Sequence, residues 1–105
     1  MKALIAALLS GGFILAAPAA HAEDASALMQ KGGCIACHSV DKKILGPAYK
    51  DVAAKYKGQK DAEALLIKKV KEGGSGVWGP IPMTANTGKL SDDEFKRVVE
   101  WILSL

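Results

Sequence analysis

From Asp24 onward, apolar residues recur at helical spacing, and no stretch keeps the period-two alternation of a half-buried strand. The clearest stripe is the last one. Phe95, Val98, Val99, Ile102 and Leu103 fall on one helical face. Ser91 and Glu94 ahead of it form an S-x-x-E capping box, and Leu90 with Phe95 matches a hydrophobic staple. A first helix is expected over Asp24 to Lys31, capped by Asp24 or Ser26 and stopped by Gly32-Gly33. A second opens at Gly46-Pro47, where the missing N–H of proline is tolerated. It runs through Tyr49, Val52, Ala53 and Tyr56 and ends at Gly58. A third opens at Asp61, with Ala62, Leu65, Leu66 and Val70 on one face and Lys68, Lys69 and Lys71 off it, and stops at Gly73-Gly74. The pattern predicts an all-α domain of about four helices.

Two stretches depart from it. Met1-Lys2 is a short positive start, followed by apolar runs over Ala3–Leu9 and Phe13–Ala17 that Ser10-Gly11-Gly12 interrupts. Pro18 then precedes Ala19-Ala20-His21-Ala22, and Ala20 with Ala22 fits an A-x-A cleavage site. Residues 1–22 therefore read as a secretory signal peptide cleaved after Ala22, and 23–105 as the domain. The alternative is an uncleaved anchor, for which the run is marginal, since a span needs about 20 apolar residues. No cysteine stands at the cleavage point, so a lipoprotein signal is absent. The second departure is Gly73 to Lys89, rich in glycine and proline yet carrying Val77, Trp78, Ile81 and Met83. A disordered segment would not hold such residues, so the loop is expected to wrap over something.

Composition narrows the picture. The chain has 105 residues, enough for one small domain, and 50% of them are hydrophobic, which excludes a disordered tail. Its 14 basic and 11 acidic residues give a charge of +3, too mild to argue for nucleic acid. Loss of Lys2 with the leader would leave 13 − 11 = +2 and His38 as the one histidine. Aromatics are only 6% and cysteines only two, so neither a large core nor a disulfide framework is available. A domain of about 80 residues gains only a few kcal/mol from its own core and is expected to need a metal or cofactor.

The candidate for that role centres on Cys34-Ile35-Ala36-Cys37-His38, a C-x-x-C-H run that reads as c-type haem attachment. Two thiols add to the two haem vinyl groups as thioethers, one backbone turn sets their separation, and the next residue supplies the proximal imidazole. A thioredoxin-like dithiol would need a βαβ context, which is missing. Zinc would need about four ligands, and the mature chain offers only Cys34, Cys37 and His38 of the usual types. A plain Cys34–Cys37 disulfide would leave His38 unexplained. For the second axial position the soft donors are Met29 and Met83. Met29 is five residues before Cys34 and reads as core, whereas Met83 lies in the long loop and can fold over. The other reading of Met83 is a hydrophobe packed on the core.

The runs KGGCIACH, GPAYKDVAAKY, GVWGPIPM and SDDEFKRVVEWILSL resemble the small bacterial class I cytochromes c of the c-551/c-552 type, over nearly all of residues 23–105. The resemblance implies a class I cytochrome c fold, with helices wrapped around one covalently bound haem c whose low-spin iron is held by His38 and Met83. It implies that the Pro47 carbonyl accepts the ring N–H of His38, that the Trp78 indole donates to a haem propionate, and that Asn86 hydrogen-bonds the Met83 sulfur. Lys69 falls where the family has a basic residue near a propionate, often Arg. For Trp78 the competing reading is core packing. Thr84-Ala85 stands where the family often has prolines, and Thr87-Gly88-Lys89 lengthens the loop, so a more flexible hold on Met83 is expected.

These features imply a periplasmic, soluble, monomeric single-electron carrier rather than an enzyme, without stable membrane insertion. A membrane quinol-oxidising complex or another cytochrome would be the donor. A periplasmic reductase such as nitrite reductase, a cytochrome c peroxidase or a terminal oxidase would be the acceptor. The alternatives are a haem-based sensor with a dissociable methionine, and a thiol oxidoreductase using Cys34 and Cys37. Docking is expected at the haem edge, on Ile35, Val40, Ile44 and the Pro82–Asn86 loop, with Lys42 and Lys43 at the rim, unless those lysines are ordinary solvated charges.

Overall fold

In the computed structural model, which describes residues 11–12 and 21–105, the described residues fold into four α-helices. They are α1 (His21–Lys31), α2 (Tyr49–Tyr56), α3 (Ala62–Glu72) and α4 (Asp92–Leu103), with a 3₁₀ turn at Cys34–Ala36 after α1. Among the described residues the only β-type pairings are isolated bridges, His38 with Lys43 and Gly74 with Met83. Most of the leader expected over residues 1–22 lies outside the described residues. Among those described, no helix is long and apolar enough to cross a membrane.

Helix α4 organises the rest. Its Phe95, Val98 and Val99 are completely buried, and α1, α2 and α3 each pack against it. The capping box forms as the sequence predicts. Glu94 N donates to Ser91 Oγ at 3.2 Å, and Ser91 N donates to Glu94 Oε1 at 3.0 Å. The Lys31 ammonium reaches the same carboxylate at 2.9 Å and ties the end of α1 to the start of α4. Leu28 and Met29 of α1, Tyr49, Val52 and Tyr56 of α2, and Leu66 of α3 complete the core with Leu90. Met29 thus sits in the core, as its position near Cys34 suggests.

The helix ends differ from expectation at three places. Helix α1 begins at His21 rather than Asp24, so Asp24 and Ser26 lie within it and not at its N-cap. Pro47 precedes α2 instead of opening it. Ala48 is the N-cap residue, in extended conformation (ψ 143°), which leaves Pro47 and its carbonyl outside the helix. Leu65 is exposed on α3, while Ala62 and Leu66 are buried and Val70 half-buried. Residues 62, 66 and 70 advance slowly around the helix at about 100° per residue, and Leu65 falls well to one side of their stripe.

Candidate functional site

The turn after α1 is built by Gly33, whose φ of 74° reverses the chain into the cysteine segment. Cys37 N and His38 N then both donate to the Cys34 carbonyl, at 3.2 and 3.0 Å. This compact turn holds both thiols and the imidazole on one short stretch. His38 Nδ1 donates to the Pro47 carbonyl at 2.8 Å. A carbonyl only accepts, so Nδ1 carries the proton and Nε2 keeps its lone pair. Gly46 closes the loop through Gly46 N to Cys37 O at 2.8 Å and lies flat against the imidazole. A Cβ there would come within 2.8 and 2.9 Å of the two ring nitrogens. On α2, Tyr49 stacks on the imidazole with centroids 5.1 Å apart and rings 20° from parallel, and its edge meets Trp101 at 5.8 Å. Burial pushes the free Cys34 thiol up from its ordinary value, and burial likewise pushes the Tyr49 phenol up.

The loop after α3 supplies the other components. Gly73 ends the helix with φ 71°, and any side chain there would run into the backbone of Met83, Thr84 and Ala85. Gly74 and Met83 exchange backbone hydrogen bonds of 3.0 and 2.8 Å, clipping the half-buried Met83 to the end of α3. Asn86 is the buried polar residue of the described core. Its Nδ2 donates to the carbonyls of Val70 at 2.9 Å and Thr84 at 3.2 Å, so in this structure the amide spends both protons on backbone rather than on the Met83 sulfur. Trp78 stands two-fifths exposed at the rim, with the Lys55 ammonium 5.5 Å from its ring centroid. The Lys69 ammonium lies close over Gly74.

A cavity of about 590 Å³ joins these pieces. It is lined by every residue the sequence singles out for the site: Cys34, Cys37, His38, Pro47, Lys69, Trp78, Met83 and Asn86. Val98, Val99 and Ile102 of α4 line it as well. Its size lies within the ~300–1,000 Å³ of cofactor pockets. One stretch of its lining offers two thiols and an imidazole nitrogen whose tautomer is set. Another offers a thioether, and the rest is largely apolar. That donor set and that volume fit a haem held by two thioethers and two axial side chains. Gly46, Tyr49 and Lys89 also belong to the site. No local signal marks them, except that Gly46 precedes Pro47 next to the motif's loop. Of the exposed large apolar residues, Leu45, Val77 and Ile81 belong to the cavity lining, and Ile35 and Ile44 lie outside it. Val40, expected on that face, is half-buried and packs against the core instead.

Comparison with known proteins agrees. The family model for cytochrome c matches residues 22–105. Cytochrome c-551 of Pseudomonas aeruginosa is 53% identical over 97 residues, covering 92% of this chain and 90% of that protein. Cytochrome c-551 of Stutzerimonas stutzeri is 46% identical over 105 residues, covering 100% and 99%. The crystal structure of wild-type Nitrosomonas europaea cytochrome c552 superposes with a TM-score of 0.72 at 50% identity, covering 76% of this chain and 98% of that one. A helical fold around a haem-sized, thiol-edged cavity defines a class I monohaem electron carrier, and the chain belongs to the cytochrome c family. It accordingly carries one covalently attached haem c with its iron.

Proposed function

We propose that the protein is an exported, periplasmic shuttle of single electrons in which Cys34 and Cys37 form the two thioethers and His38 and Met83 are the axial ligands. The observation that carries this reading is the His38–Pro47 hydrogen bond, which leaves Nε2 as the free lone pair on a ring that lines the same cavity as Met83. Residues 1–22 are removed after Ala22, and residues 23–105 form the working domain.

When bound, the haem supplies an iron that cycles between Fe(III) and Fe(II). The chain's own groups shape that couple. The Pro47 carbonyl orients His38 and strengthens its donor nitrogen. The Met83 thioether, a soft ligand, favours Fe(II) and raises the potential. With His38 and Met83 both holding the iron, no coordination position would be left for a substrate, which fits a carrier. Val98, Val99 and Ile102 keep water from the interior side of the cavity. Trp78 and Lys69, both in the cavity lining, would receive the acidic haem side chains. The exposed apolar rim of Ile35, Ile44 and Ile81 gives a redox partner a small, quickly released contact, and exposed Lys42 and Lys43 steer a partner of acidic surface. The donor is a membrane quinol-oxidising complex or another cytochrome, and the acceptor a periplasmic reductase, peroxidase or terminal oxidase.

The test is the intact mass and thiol content of the protein purified from the periplasm. The reading expects a chain starting at Glu23, heavier by one haem that denaturation does not release, with no thiol open to alkylation. A chain with two alkylatable cysteines and no attached haem would overturn it.

A further inference from the structure

Thr87-Gly88-Lys89, the stretch that lengthens the loop, closes into a turn with Asn86. Lys89 N donates to the Asn86 carbonyl at 3.0 Å, and Gly88 takes φ 85° at the third position. Thr87 is not at positive φ, so this is the type II pattern, which requires glycine there. The turn is bolted to α3 from outside. The Lys71 carbonyl accepts Asn86 N at 2.9 Å and Thr87 Oγ1 at 3.0 Å. Lys71 itself is ion-paired to Asp92 at the start of α4.

The Lys89 side chain then folds back over the turn it ends. Its Nζ donates to Asn86 Oδ1 at 3.1 Å. That contact has a directional consequence. With Oδ1 held by an ammonium, the amide cannot flip, and Nδ2 is left facing the carbonyls of Val70 and Thr84. Val70 belongs to α3, and Thr84 is the residue after Met83. Asn86 thereby becomes a strut between a helix and the Met83–Thr84 segment, fully satisfied although buried. Lys89 also lines the cavity.

We propose that Lys89 is a positioning residue for the Met83 ligand: by fixing the Asn86 amide it holds the Met83–Thr84 segment against α3 and opposes release of Met83 from the iron. The inference rests on Met83 being that ligand. Charge-assisted hydrogen bonds are the stronger kind, and this one closes the segment nearest Met83 that has no helix or sheet of its own.

The experiment uses the ferric, haem-loaded protein and added imidazole, which competes with Met83 for the iron. Lys89→Leu should bind imidazole several-fold more tightly than wild type and lose the thioether-to-iron absorption band at a lower temperature, with the helical circular dichroism still native at that temperature. Lys89→Arg, which keeps a charged donor, should behave as wild type. Wild-type imidazole affinity in Lys89→Leu would overturn the role of Lys89 while leaving Met83 as ligand. Absence of the thioether band from the wild-type ferric protein would instead overturn the assignment of Met83, and this inference with it.

Discussion

The Nδ1 atom of His38 donates to the carbonyl of Pro47 across 2.8 Å, and Gly46, between the two in the loop, lies flat on the same imidazole. The ring is thus fixed in tautomer by one residue and in tilt by its neighbour. A methyl group at position 46 has nowhere to go, since a Cβ would overlap the ring atoms. Gly46→Ala should therefore displace His38 or the loop and destabilise the haem-loaded protein by ~1–3 kcal/mol, the usual cost of overpacking. Denaturant unfolding followed by the haem absorption measures it. An unchanged midpoint would show that the loop yields freely.

The start of α4 carries a second expectation. The Glu94 carboxyl is held down to about 2 from its ordinary 4.5, first by the Ser91 backbone N–H and then by the Lys31 ammonium. The folded value lies below the unfolded one. The contribution is therefore complete above about pH 4.5 and fades as pH falls toward 2. Glu94→Gln should narrow the stability difference between pH 6 and pH 3, whereas Ser91→Ala should cost ~1 kcal/mol at neutral pH through the lost cap. Thermal melts across that pH range read both. Parallel pH profiles for Glu94→Gln and wild type would remove Glu94 from the account.

Phe95 is the largest of the wholly buried side chains on the helix against which the other three pack. Phe95→Ala should cost ~3–5 kcal/mol, a loss a domain of this size cannot absorb without falling near its unfolding threshold. Urea titration of the haem-loaded variant is the check. A loss below about 1 kcal/mol would mean that the haem, not α4, carries the core.

Much of this was legible in the chain because the signals were local. The capping box, staple and stripe of α4 lie within fourteen residues, Leu90 to Leu103; the structure reproduces the capping box and the buried stripe and puts Leu90 and Phe95 in one core cluster. The C-x-x-C-H run and the M-bearing loop converge on one cavity as their residue types suggest. What was not legible depended on distant partners. Pro47 suits the first position of a helix and the extended residue before it equally well, and the choice follows from its carbonyl being used by His38. Leu65 belongs to the apolar composition of α3 but not to its buried stripe. The loop's extra residues look flexible as composition, yet Gly88 makes them a turn and Lys71 anchors them. Asn86 has protons enough for two bonds, and only the fold reveals that backbone carbonyls take both.

Docking can be separated from chemistry by salt. Lys42 and Lys43 are exposed beside an apolar rim that includes Ile44. Changing both to glutamate should slow electron transfer to an acidic partner several-fold at low ionic strength and hardly at 1 M, where the screening length is ~3 Å. The second-order rate against ionic strength is the measurement. A rate indifferent to salt and to both substitutions would leave the apolar rim as the only determinant.

The ligand set is decided by the ferric absorption spectra of three proteins. Wild type and Met29→Ala should both show the thioether-to-iron band and a low-spin spectrum, and neither ferrous form should bind carbon monoxide, because Met29 is buried in the core away from the cavity lining. Met83→Ala should lose the band, shift toward high spin, bind carbon monoxide and show a lower potential. The band surviving in Met83→Ala, or vanishing in Met29→Ala, would contradict the assignment. Wild-type protein that bound carbon monoxide readily would describe a ligand-binding haem protein rather than a closed electron carrier.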